Sequence, residues 1–383
     1  ISIDIELQSK IEKYLINSIG DAPDTKIGAV VLDVATSDIL AMVSIPVYNL
    51  NTVRQKYNEL LQDPQRPLRS KAFYEAYPPG SIAKPIIMAI GLEEHKVGPH
   101  EIIHCRARKA PTGWPNCLIA RLNYYNTGHD IVFSGQGGNI GRNAIKGSCN
   151  VYFSRLADRI QSGTLQEWLY NFGFGHAVMP DPQYPKVLAE LERTKGTGRN
   201  LPESDGIISS TYPNGKVKNF QDIPPLYDYE KRMFGIGQAS MRATVLQIAN
   251  AMAVIARRGV FKNPNMFLND SKKQTPVDLG ISNTSINVVR DGMHAVVNER
   301  GGTAYSAFKD SDLGKRKIEI FGKTGSTQNP NNALFGGFAE DLTGRAIALA
   351  IVVEGGESGA KDAAPIARRI IEIGSEAGFI RID

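Results

Sequence analysis

Ile27-Gly28-Ala29-Val30-Val31-Leu32, then Asp33-Val34-Ala35-Thr36-Ser37-Asp38, then Ile39-Leu40-Ala41-Met42-Val43, are two apolar runs around a polar turn, and they predict a β-hairpin. The far end of the chain carries the same signature. Ile318 to Phe321, Ala333 to Ala339 and Ala346 to Val353 read as strands joined by short turns, and Ala363 to Ile373 as a closing helix. Strands from both termini with helices grouped between them predict one antiparallel sheet covered by helices, an α/β architecture of the α+β type.

Between those ends the pattern is helical and broken. Leu7, Ile11 and Leu15 predict an amphipathic helix ending near Gly20. A short helix is expected around Val53 to Leu61, another from Ser81 to about Glu94, and a buried one from Asn150 to about Ile160. Thr244 to Arg258 reads as a helix with Thr244 as its N-cap and Gly259 closing it. Residues 98–147 look like loops, and 177–230, interrupted by prolines, is the loosest stretch. No internal repeat or low-complexity tract is present.

Composition narrows the class without naming it. The 383 residues are 42% hydrophobic and 22% charged, which supports a sizeable core and excludes a disordered chain. The net charge of +5 is spread along the chain with no basic block, so it argues for no nucleic-acid partner. No run of about 18 apolar residues offers a membrane span. The chain begins with Ile1 rather than Met, so it reads as a trimmed piece whose targeting signal or anchor lay upstream. Three cysteines, Cys105, Cys117 and Cys149, fit either a reducing or an oxidising compartment.

Three short motifs carry chemistry. In Ser81-Ile82-Ala83-Lys84 the spacing places an amine within reach of a hydroxyl one helical turn away. A serine becomes nucleophilic when an adjacent base takes its proton, and lysine serves as that base once burial lowers its pKa. Ser148-Cys149-Asn150 opens a helix and offers a hydroxyl and an amide to one cleft. Lys323-Thr324-Gly325 follows a strand; its glycine admits a substrate backbone, while lysine and threonine suit a carboxylate. Taken singly, each has a bland explanation as a helix cap or an exposed turn. The three together, in this order, do not.

The set resembles that of penicillin-binding proteins and serine β-lactamases. Tyr77-Pro78-Pro79-Gly80-Ser81-Ile82-Ala83-Lys84-Pro85 is similar to the nucleophile segment of the class B penicillin-binding proteins, which usually have Thr-Phe where this chain has Ile82-Ala83. The resemblance continues through Ser2 to Gln8, the hairpin, Gly235-Ile236-Gly237-Gln238, Gly301-Gly302-Thr303-Ala304-Tyr305 and Ala363-Ala364-Pro365-Ile366-Ala367. Ser148-Cys149-Asn150-Val151-Tyr152-Phe153, Trp168, Phe172 to Gly175, Cys105, Cys117 and Gly128-His129 resemble the elongation-type (rod-shape) group.

That resemblance implies five antiparallel strands sandwiched by helices, with a sheet subdomain from about 1–50 and 315–383 and a helical subdomain from about 51–314. It implies a missing N-terminal anchor and pedestal domain, and an extracytoplasmic location on the periplasmic face of the inner membrane. Ser81 is expected to attack D-alanyl-D-alanine stem peptides of peptidoglycan with Lys84 as base, Ser148 and Asn150 relaying the proton. Lys323, Thr324, Gly325 and Ser326 are expected to hold the substrate, with the Ser81 and Ser326 amides as oxyanion hole. No cofactor is implied; β-lactams are covalent ligands, and wall-synthesis proteins including a glycosyltransferase are partners. A D,D-carboxypeptidase or β-lactamase, and a β-lactam-sensing receptor domain, are the alternatives. Cys105 and Cys117 are open to a disulfide, to zinc with His104 or His129, or to two plain thiols, the last being expected. Cys149 is expected to face the helix core as a small hydrophobe.

Overall fold

The structure is a computed structural model, described for residues 1–19, 24–124, 126–179, 203–267, 275–328 and 330–381. Its centre is a five-stranded antiparallel sheet built from both ends of the chain. The strands are β1 (Lys26–Asp33), β2 (Ile39–Ile45), β3 (Ile318–Thr327), β4 (Asn332–Asp341) and β5 (Ala346–Glu354). Their order is β2-β1-β5-β4-β3, so the N-terminal hairpin docks on the C-terminal meander through the β1–β5 pair. β5 is apolar along nearly its whole length and buried on both faces, as a central strand requires.

Helices cover both sides. Gly336 on β4, which pairs with Ala350 of β5, faces Ile248 and Met252 of the helix Val245–Ala256. Ile347, three residues before Ala350, lies on the opposite face because strand side chains alternate. It meets Gly374 of the C-terminal helix Ala364–Glu376. The N-terminal helix Ile5–Ile19 packs its Leu7, Ile11 and Leu15 face into the same core. Thr244 caps Val245–Ala256 in a reciprocal bond with Gln247, as the cap signal predicts. The 16-residue helix Asn283–Asn298 and the helix Ser162–Asn171, neither read from the pattern, join the helical layer.

Other expectations shift. The short helix after the hairpin runs Tyr57–Gln62 rather than from Val53. Residues 98–147 contain three short helices, Leu118–Leu122, His129–Val132 and Gly141–Lys146, where only loop was expected. Of the loose stretch 177–230, residues 180–202 lie outside the described residues; the remainder includes the turn Phe220–Asp222. The third motif is corrected most. Lys323, Thr324 and Gly325 lie inside β3, not after it, because the strand runs on to Thr327. Glycine and lysine interrupt the apolar pattern that marks a strand, and pairing with β4 overrides that local signal.

The β4–β5 turn is fastened by one carboxylate. Asp341 accepts from the Thr343 amide (2.8 Å) and hydroxyl (2.6 Å), from the Arg345 amide (3.1 Å) and Nε (3.0 Å), and from the Arg381 amide (2.9 Å). Burial alone would raise its pKa, but these donors hold it down at about 2. Asp341→Ala is therefore expected to cost about 2 kcal/mol in denaturant unfolding, the scale of hydrogen bonds to a charged group. Because the folded pKa is depressed, this contribution is present above pH 4 and fades as pH falls through about 2.

Candidate active site

The first motif folds as a tight turn. Gly80–Ala83 is a 3₁₀ turn that leads into the α-helix Lys84–Glu93, so Ser81 precedes the α-helix it was expected to open. In a 3₁₀ turn residues i and i+3 eclipse, which keeps Ser81 and Lys84 on one side. Gly80 makes the turn at φ +56°, and its amide donates to the Gly237 carbonyl at 2.9 Å. The approach is close enough that a Cβ on Gly237 would lie 2.1 Å from the Gly80 oxygen. The Gly235–Gln238 segment is therefore a floor for the serine turn.

Lys84 is wholly buried, and its ammonium has three oxygen partners. It donates to the Ser148 carbonyl (2.8 Å), the Ser148 hydroxyl (3.1 Å) and Asn150 Oδ1 (2.7 Å). Ser148 holds a left-handed conformation, φ +57°, which turns its carbonyl and hydroxyl toward the same amine. Asn150 opens the helix Asn150–Arg159, and its Nδ2 donates to the Asn116 carbonyl at 3.2 Å. Loss of water lowers the Lys84 pKa to about 7, with the neighbouring cysteines acting in the opposite direction.

The third motif closes the same place from the other side. A Cβ on Gly325 would come within 3.0 Å of the Pro79 carbonyl and of Ile82, and Gly80 lies against the Ser326 carbonyl. Only glycine lets β3 pass this close to the serine turn. Lys323 is wholly buried; burial and then repulsion from Lys84 push its pKa well down. Its ammonium donates to the Thr324 carbonyl at 3.0 Å. Thr324 shares a 2.7 Å hydrogen bond with Thr303, and the Ser326 hydroxyl accepts from the Gly359 amide at 3.1 Å. All eight expected site residues thus fall in one locality: Ser81, Ser148, Asn150 and Ser326 reach solvent while both lysines are enclosed. Thr303, Asn116 and Gly359 were not singled out as site residues; only Thr303 lay in a noted segment, Gly301 to Tyr305.

Behind the second motif sits a cluster of different chemistry. His129 Nδ1 lies 3.5 Å from Cys105 Sγ and 3.3 Å from Cys117 Sγ, and the donor atoms of Cys105, His129 and Cys149 lie within 4.8 Å of one another. All four residues are buried, and His129 Nε2 donates to the Gly147 carbonyl at 2.9 Å, leaving Nδ1 to face the sulfurs. Zinc bonds of ~2.0 Å to nitrogen and ~2.3 Å to sulfur at a tetrahedral angle give donor separations of about 3.6 Å, a chemistry that Cys105, His129 and Cys149 suit, with Cys117 Sγ against the same nitrogen as a further donor. Cys149 lies in the core as expected, and there it also caps its helix by accepting from the Tyr152 amide and turns its sulfur to this cluster. The cysteines are free thiols, and His104 lies apart, exposed and paired with Asp130 at 3.2 Å.

Residues 27–372 match the family described as penicillin binding protein transpeptidase domain, and the chain belongs to that family. It is similar to the peptidoglycan D,D-transpeptidase MrdA of Haemophilus influenzae, with 27% identity over 97% of this chain and 55% of the relative. A solved Pseudomonas aeruginosa PBP2, in complex with WCK 5153, superposes with a TM-score of 0.73 at 27% identity, covering 97% of this chain and 77% of that one. A Helicobacter pylori PBP2 gives 0.76 at 25% identity, covering 99% and 64%. These relatives place the chain with the class B, elongation-type group. The chain spans about half the length of the curated relatives it matches.

Selective ¹³Cε labelling of lysine is expected to show one resonance, lost in Lys84→Met, that titrates near pH 7. A Lys84 midpoint in the ordinary range, near 10, would remove the case for a base at this position.

Proposed function

We propose that this chain is the catalytic domain of a peptidoglycan D,D-transpeptidase acting through Ser81. The observation that carries the reading is the buried Lys84 amine, one turn from Ser81 and bonded to Ser148 and Asn150. Neutral Lys84 takes the Ser81 proton as Oγ attacks the penultimate D-alanine carbonyl. The Ser81 and Ser326 amides take the developing oxyanion, a role typically worth about 10²- to 10³-fold in rate per donor. The peptide C–N bond breaks, and D-alanine leaves with a proton relayed from Lys84 through Ser148. An amine of a second stem peptide then attacks the acyl carbon, gives up its proton along the same path, and regenerates Ser81. Asn150 holds the donor peptide amide.

Substrate binding falls to β3. As an edge strand it offers backbone groups to an extended peptide. Thr324 and Ser326 supply hydroxyls for the terminal carboxylate, and Lys323, enclosed beneath them, holds the strand through its bond to the Thr324 carbonyl rather than gripping the carboxylate directly. A β-lactam presents the same carbonyl and carboxylate and acylates Ser81. The setting is extracytoplasmic, where cell-wall peptide is found, with wall-building proteins, a glycosyltransferase among them, as partners. No described helix is long and apolar enough to cross a membrane.

Intact-mass analysis with peptide mapping after benzylpenicillin is the test. One adduct per chain, on Ser81, is expected; an adduct elsewhere, or steady turnover in place of a single burst, overturns the reading. Ser81→Ala is expected to lose the adduct while keeping its melting temperature. Lys84→Met is expected to lower the acylation rate by at least ~10²-fold, the scale of general-base catalysis. Acylation is expected to rise with pH through about 7, since the base acts when neutral.

The cysteine–histidine cluster belongs to the same proposal as a structural zinc site held by Cys105, Cys117, His129 and Cys149. About one zinc per chain is expected by elemental analysis. Cys117→Ala is expected to lose it and to lower the melting temperature by at least ~5 °C. Protein purified without chelator that holds no zinc ends this assignment.

A further inference from the structure

Beside the second motif lies a cavity of about 460 Å³ whose wall is strongly basic. Val151 and Ser154, on the helix that Asn150 opens, line its inner side. Arg106, Arg108 and Lys109 stand exposed along its loop side, and Arg155 closes one end with a 2.9 Å bond to the His104 carbonyl. Among the described residues no carboxylate lies within ion-pair distance of any of these four. The pairing that neighbours them goes elsewhere: Asp130 binds His104 and the Cys105 amide, and Asp158 binds Arg232 at 2.7 Å. Four cations around one concavity without an internal counter-charge repel each other, and a bound anion relieves that cost.

The cavity is a built feature. Trp114 forms a wall and is held by the Arg232 guanidinium stacked 4.1 Å from its ring centroid, itself fixed by Asp158. The Trp114 amide closes a turn on the Pro111 carbonyl at 3.1 Å, and the Ala110 amide is held by Asn116 Oδ1 at 2.9 Å. The same Asn116 receives the Asn150 amide through its carbonyl. The basic loop is therefore tied, by one residue, to the group proposed to hold the donor peptide.

We propose that this cavity binds a carboxylate of the incoming stem peptide, the acyl acceptor. The inference rests on the transpeptidase reading of Ser81 and deepens it. A transpeptidase must hold two peptides and tell them apart. The donor's terminal carboxylate is assigned to Thr324 and Ser326, on the strand side of Ser81. The acceptor brings an amine to the acyl carbon and carries its own carboxylate. The basic cavity beside the start of the Asn150 helix offers that group a cationic anchor apart from Thr324 and Ser326. Guanidinium forks match a carboxylate in two parallel hydrogen bonds, and three of the four cations are arginines. A hydrolase, whose acceptor is water, has no use for such an anchor.

The test separates acceptor binding from acylation. A peptide donor ending in D-alanyl-D-alanine is supplied with a tetrapeptide acceptor that carries a side-chain amine, ending either in a free carboxylate or in a carboxamide. Wild-type protein is expected to show at least a tenfold lower acceptor KM for the carboxylate form. In the triple variant Arg106→Gln, Arg108→Gln, Lys109→Gln the two acceptors are expected to become equivalent, through KM rather than kcat. The rate of benzylpenicillin capture is expected to stay within about twofold of wild type. The charge-keeping variant Arg106→Lys, Arg108→Lys is expected to recover most of the preference. Equal KM values for the two acceptors in wild type overturn the inference, as does a triple variant that keeps the preference or one that loses benzylpenicillin capture. So does a triple variant whose only defect is weaker adhesion to anionic phospholipid vesicles, since the loop then serves a membrane surface. Wild-type protein that takes no adduct on Ser81 sinks the transpeptidase reading itself, which the mass measurement reports separately from the acceptor assay.

Discussion

The site turns on one amine removed from water. An exposed lysine near pH 10.5 is protonated at neutral pH and accepts nothing; the enclosure of Lys84 brings that value to about 7. Enclosure of a charge is costly unless hydrogen bonds replace the lost water. Two oxygens of Ser148 and one of Asn150 do so without supplying a formal negative charge, which would undo the shift. A carboxylate in place of Asn150 would pair with the ammonium and hold it protonated. The neutral amide is what allows the same lysine to be both satisfied and basic. Lys323 meets the same enclosure, and its pKa is lowered by burial and then by repulsion from Lys84.

That electrostatic arrangement depends on close backbone packing. Three chain segments far apart in sequence approach within van der Waals limits around Ser81, and each approach is made at a glycine. Gly237 lies against Gly80, and Gly325 against Pro79 and Ile82. The sheet supplies the rigidity. β3 is paired with β4 along its whole length, and β4 with the buried β5, so the wall facing Ser81 is fixed by the most enclosed part of the molecule. The serine turn is held against it by the Gly237 carbonyl and carried on a helix whose residues are buried from Lys84 to Leu92.

Much of this was legible in the sequence, and the gaps have physical causes. Periodicity located the hairpin, the terminal helix and the capped helix after Thr244, because apolar spacing and capping are local properties. It stopped β3 at Phe321, since Gly322, Lys323 and Gly325 read as a turn until the neighbouring strand is known. It passed over Asn283–Asn298, whose apolar face is interrupted by Gly292. That glycine is there because Ile145 packs directly against it, a contact visible only in three dimensions. The residues of the candidate site were picked out by motif order, which local propensity does not encode. Cys149 was read as a core residue and is one, but its neighbours Cys105 and His129 come from a separate segment, so the cluster it joins could not be read from the motif alone.

The second motif shows how two demands are met by three consecutive residues. Cys149 faces inward to the sulfur–imidazole cluster, while Ser148 and Asn150 on either side turn to Lys84. The left-handed backbone at Ser148 makes this reversal, and such a conformation costs on the order of 1–3 kcal/mol in a residue that is not glycine. It persists when its surroundings fix it more firmly than the strain disfavours it. The Gly147 carbonyl is held by His129 before the reversal, and the Cys149 sulfur is held by the cluster and the Tyr152 amide after it. With both ends fixed, the Ser148 carbonyl and hydroxyl have one direction left, toward the amine. The cluster therefore helps to set the geometry of Ser148, the group proposed to relay the proton.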